Sequence, residues 1–80
     1  MRIVFSEHAL DRIKERKIPK LKVFATIKNP QNQVESYRGR ILIRRNFGSK
    51  ILEVIIRVEK ECIIVVSAYY LERKVYEDTI

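Results

Sequence analysis

The hydrophobic positions of this 80-residue chain change period twice, and each change marks a new kind of element. Ile3, Val4 and Phe5 form a short apolar run that stops at Ser6, which predicts a strand. Ser6 is a good helix cap, because its hydroxyl can accept a first-turn amide, and Glu7 suits the positive helix end. From Glu7 to Lys17 the period lengthens, with Ala9, Leu10 and Ile13 on one stripe and Lys14, Arg16 and Lys17 toward the negative end. Ile18-Pro19 closes that helix, since a residue before proline is pushed out of helical geometry. Pro19 then opens a second helix over residues 19–28, carrying Leu21, Phe24 and Ile27 at helical spacing, and Asn29-Pro30 ends it.

Beyond Pro30 the period shortens to two. Residues 33–37 alternate loosely, Arg38-Gly39 is a turn signal, and Ile41, Leu42 and Ile43 predict a strand flanked by Arg40, Arg44 and Arg45. Residues 46–50 form a second turn. Residues 51–59 then place Leu52, Val54, Ile56 and Val58 on one face of a strand, and Lys60-Glu61 leads into the most apolar strand, residues 62–70. The expectation is an α+β domain of one strand, two helices and then three or four strands (β-α-α-β-β-β order), with the two helices on one face of a twisted antiparallel sheet whose adjacent central strands are 51–59 and 62–70. Leu10, Ile13, Leu21, Phe24, Ile27, Val54, Ile56, Ile64 and Val66 are the expected core. Eighty residues suit one small domain, with residues 71–80 as a flexible tail, an edge strand or a docking segment.

Charge sharpens this outline. The chain carries +7 with pI ≈ 9.9, which argues for an anionic partner, nucleic acid before an acidic protein or a membrane surface. Residues 1–50 hold 13 Lys or Arg against 4 Asp or Glu, and residues 51–80 hold 4 against 6, so the two parts stand at +9 and −2. The basic surface is therefore expected from the helices and the first long strand. Cys62 is the sole cysteine, which excludes an internal disulfide and points to a reducing compartment. The amino end turns charged before a signal-peptide core could form, and no stretch approaches the ~20 apolar residues of a membrane span, so a cytoplasmic protein is expected. One His, one Cys and scattered carboxylates lack metal-site spacing, so no metal or cofactor is expected.

His8, Arg12 and Arg16 recur every four residues, which strings one titratable ring and two permanent cations along one helical stripe. His8 is the natural general acid or base, and the arginines could stabilise negative charge growing on a phosphate. A solvated basic face with His8 near the helix start is the competing reading. On the strands, Arg44, Arg45 and Arg57 could hold flanking phosphates, and Tyr69 or Tyr70 could stack a base. Adjacent strand residues point to opposite faces, so one tyrosine serves such a site and parity leaves open which.

The run Phe5-Ser6-Glu7-His8-Ala9-Leu10-Asp11-Arg12-Ile13-Lys14-Glu15-Arg16, with Asn29-Pro30 and a last strand ending at Tyr69-Tyr70, resembles a family of small proteins carrying an S-x-H-A-x-x-R-x-x-x-R signature and grouped with RelE/ParE-like toxins. The resemblance spans roughly residues 3–70. It implies the two-helix, twisted-sheet fold, a metal-independent endoribonuclease that uses 2′-hydroxyl attack on RNA, including ribosome-associated mRNA, and a cognate acidic antitoxin. His8, Arg12 and Arg16 match the helix signature; Tyr70 and Arg57 correspond more loosely to a terminal aromatic and a strand cation. The alternative is a non-catalytic nucleic-acid binder or a ParE-type protein inhibitor.

Overall fold

Ser6 joins two layers of the molecule. In the computed structural model, which describes residues 1–36 and 38–72, it separates β1 (Arg2–Phe5) from α1 (Glu7–Glu15). Its Oγ accepts the Ala9 N–H at 3.0 Å, and its own N–H donates to the Val65 carbonyl at 3.1 Å. A helix-end donor is satisfied and the helix start is tied to the last strand at the same residue.

α1 ends two residues before the expected Lys17. Lys17 adopts a left-handed conformation with φ 55°, its N–H donates to Lys14 O at 3.2 Å, and the Ile18 N–H donates to Ile13 O at 2.8 Å. This is a Schellman ending with lysine where glycine is usual, and the buried pair Ile13 and Ile18 supplies its apolar component. Backbone closure, not Pro19, stops the helix. Pro19 in turn caps α2 (Lys20–Lys28) from outside rather than opening it as a helical residue.

Four strands follow: β2 (Asn32–Glu35), β3 (Arg40–Phe47), β4 (Lys50–Glu59) and β5 (Cys62–Glu72). The sheet order is β1-β5-β4-β3-β2. Strands β2 to β5 pair antiparallel, but β1 pairs parallel with β5, from Arg2↔Cys62 to Phe5↔Val65. The sheet is therefore mixed rather than antiparallel throughout, and four strands follow the helices, the larger of the two expected numbers. Both helices intervene between β1 and β2, so the chain re-enters the sheet at the far edge and works back until β5 reaches β1. Leu71 and Glu72, expected in the terminal segment, belong to β5; residues 73–80 lie outside the described residues.

The expected 46–50 turn shrinks to Gly48-Ser49, a two-residue hairpin loop in which Gly48 takes φ 77°. That conformation suits a hairpin whose twist matches its strands, and it makes Phe47 and Lys50 a closing cross-strand pair.

A bulge resets β5. Ile55 pairs with Ser67 and Ile56 with Val65, leaving Val66 as the extra residue. Val65 and Ala68, three apart, consequently join one core, with Ile63 and Tyr70 packed against it. The expected core residues Ile64 and Val66 are only half-buried and stand outside that cluster, because simple alternation fails across a bulge. On the helices, Leu10 is 38% exposed and Leu21 80%, while Ala9, Ile18 and Val23 are buried. Ile13, Val54 and Ile56 are buried as expected, Phe24 and Ile27 are half-buried, and Val58 at the end of β4 is exposed. The inward stripe of α2 runs through Val23, Thr26 and Ile27, rotated from the one its leucine suggests; Thr26 bonds its own helix at Lys22 O, so its burial leaves no hydroxyl unsatisfied. No described helix is long and apolar enough to cross a membrane.

Candidate nucleic-acid interface

Strand register sorts the predicted cations onto two faces. Arg44, Glu53 and Tyr69 form one cross-strand row, and Arg45, Leu52 and Tyr70 form the next. Consecutive residues point to opposite sides, so the first row lies on the outer face and the second under the helices. On the outer face Glu53 is 2% exposed and accepts hydrogen bonds from Arg44 Nε and Tyr69 Oη. A buried carboxylate held by a cation and a phenol forms a closed network that occupies Arg44 and Tyr69 structurally. Arg57 is also on this face, its Nε 2.9 Å from Glu59 Oε1.

The helix stripe is only partly free. His8 is exposed at the start of α1. Arg12 donates to Glu15 Oε2 at 3.1 Å, an exposed pair that water and salt weaken. Arg16 reaches the margin of β5 beyond the last β1 pairing, where its Nη1 donates to Ala68 O at 2.8 Å, and its guanidinium lies 5.9 Å from the Tyr69 ring centroid. It satisfies an edge carbonyl that β1 is too short to cover. Eight residues of helix separate His8 from Arg16, about 12 Å along the axis. The stripe is therefore a track, not a single phosphate pocket, and Arg16 is directed to Tyr69 rather than Tyr70.

Tyr70 has different company. Lys22 Nζ lies 5.7 Å from its ring centroid and 5.3 Å from that of Phe47; Lys50 Nζ is 5.5 Å from Tyr70, and Arg45 Cζ 5.9 Å from Phe47. Arg45 Nη1 also donates to Asn29 O at 2.7 Å. Elsewhere on α2, Lys20 Nζ is 5.5 Å from Phe5, which meets Phe24 edge-on. None of Lys20, Lys22, Arg45 and Lys50 joins an ion pair among the described residues, although Glu72 stands opposite Lys50 in the register. The first turn of α2 contains no acidic residue, so Lys20 and Lys22 sit against the positive end of that helix, a placement costing about 0.3–1 kcal/mol per cation.

Of the eight residues singled out from sequence, Arg45 and Tyr70 thus share one neighbourhood; Arg44, Arg57 and Tyr69 lie across the sheet, and His8, Arg12 and Arg16 follow α1. Sequence reasoning missed Lys20, Lys22, Phe47 and Lys50. A signal for two of them was present: reading Gly48-Ser49 as a two-residue hairpin makes Phe47 and Lys50 a facing strand pair instead of loop residues. Lys22 gave none, because its ring partners come from distant segments. No group of three or more His, Cys, Asp or Glu able to hold a metal occurs among the described residues.

Residues 5–70 match the family described as domain of unknown function DUF4258, and the chain belongs to that family. No curated protein and no solved structure matches it.

Proposed function

From membership in a family whose description assigns no activity, we propose on physical grounds that this domain binds RNA on its helix-side surface. The observation that supports this reading is the sorting of charge. Among the described residues, Arg44 and Arg57 on the outer face are ion-paired with carboxylates while Arg2 and Arg40 are not, whereas on the helix side none of Lys20, Lys22, Arg45 and Lys50 makes an ion pair. Concentrating like charge costs self-repulsion, and a polyanion recovers that cost by releasing its own counterions. The test is binding of an RNA oligomer across a salt series. Contact with about four to six phosphates gives a log–log slope of roughly −3 to −5. A slope near zero would reject the reading.

Exposed His8, one turn from Arg12, favours a second reading: a RelE/ParE-like, metal-independent endoribonuclease in which His8 is general acid or base and Arg12 and Arg16 meet the phosphate chain. In this reading a cognate acidic antitoxin covers the basic surface, and the working place is the cytoplasm. RNA cleavage in EDTA, lowered about 10²- to 10⁴-fold by His8→Ala, would support it. Binding without cleavage, on naked RNA and translating ribosomes alike, would leave the domain as a binder.

A further inference from the structure

Three cations and two rings on the helix side form a single cluster that electrostatic RNA binding alone does not require. Lys22 and Lys50 share the Tyr70 ring, and Lys22 and Arg45 share the Phe47 ring. Phe47 and Tyr70 are each half-buried, packed against the core cluster with part of the residue still exposed. Three like charges are thus gathered on aromatic surface, and none is in an ion pair among the described residues. Cation–π attraction offsets part of the repulsion. Attaching phosphates to the same cations would offset more.

Resting on the RNA-binding reading, we infer that Phe47 and Tyr70 are a stacking platform for unpaired bases, so that the ligand is single-stranded. A base has a π-face that any ring can accept, but in a duplex that face is already stacked on its neighbours. When a base approaches either ring, Lys22 exchanges its aromatic contact for the phosphate of the same strand. Its flexible four-carbon stem permits this without moving α2. Lys50 and Arg45 hold the phosphates on either side. The rings are fixed for this role by backbone features already described: the Gly48-Ser49 hairpin sets Phe47, and the Val66 bulge turns Tyr70 toward the helices.

The test compares two polyanions: a ten-nucleotide adenosine RNA, and inorganic polyphosphate, which carries charge and no bases. Phe47→Leu and Tyr70→Leu keep apolar volume and remove the π-face, with circular dichroism used to verify folding. Each is expected to weaken RNA binding roughly tenfold, as the loss of one stacked base does, and to leave polyphosphate binding within about twofold, since phosphate contacts are untouched. Lys22→Met should weaken both ligands and flatten both salt slopes by about one. The RNA single strand should also bind more tightly than a duplex of the same length. Equal losses for RNA and polyphosphate, or no loss for RNA, would overturn the stacking platform while leaving charge-driven binding intact. Failure of the unaltered protein to bind either polyanion would overturn both readings.

Discussion

Arg44 and Arg45 are chemically identical neighbours on β3, yet they belong to two different regions of the protein. Arg44 points to the outer face and is closed into a network with buried Glu53 and Tyr69. Arg45 points under the helices, where it lies near Phe47 in the company of Lys22 and makes no ion pair among the described residues. A count of basic residues therefore does not locate a basic surface. Burial with a carboxylate turns one arginine into part of the scaffold, while the absence of an acid leaves the other to attract a ligand.

Removing the scaffold acid should have the largest effect. Glu53→Ala leaves Arg44 facing a desolvated gap and strips Tyr69 of its acceptor, so a loss of about 3 kcal/mol is expected. In a domain of this size that lowers Tm by more than about 10 °C, readable by thermal circular dichroism. The double replacement Arg44→Leu with Glu53→Leu should recover most of the loss, because two apolar groups need no partner. A single replacement that costs nothing would dissolve the contrast between the faces.

Arg45→Ala probes the opposite region. RNA affinity should fall and the salt slope flatten by about one unit, while stability drops by about 1 kcal/mol through loss of the bond to Asn29. Arg44→Ala should reverse the order, with a larger stability loss and little change of slope. If both changed the slope equally, the charges of the two faces would act together rather than separately.

Arg12→Ala is expected to have the smallest effect on folding, under about 0.5 kcal/mol, because its pair with Glu15 is largely exposed. Chemical denaturation measures this directly. A cost near that of Glu53→Ala would place Arg12 in the scaffold and detach it from the proposed RNA track.

Much of the local structure was legible because it depends on neighbours in the chain. Ser6 as a cap, Asn29-Pro30 as a stop, and the adjacency of residues 51–59 and 62–70 all follow from short-range rules. The α1 ending was less legible, since left-handed lysine carries no signal comparable to glycine. For the candidate site, His8, Arg12 and Arg16 were visible as a stripe, but no spacing reveals that Arg16 is committed to the Ala68 carbonyl, fifty-two residues away. Leu21 misled for a related reason: helix periodicity defines stripes, and packing selects the one turned inward.

Element types, their order, the uneven charge and the opposite facing of Arg44 and Arg45 are properties of the sequence by itself, because each arises from backbone geometry and side-chain chemistry over a few residues. Three further matters were decided only in the tertiary structure. The parallel pairing of β1 with β5 depends on where the chain re-enters the sheet, and the Val66 bulge depends on the β4 register that opposes it. The pairing of Arg44 with Glu53 depends on that same assembly, since a cross-strand row exists only once strands have aligned. It is this alignment that separates a neutralised arginine from one left for an anion.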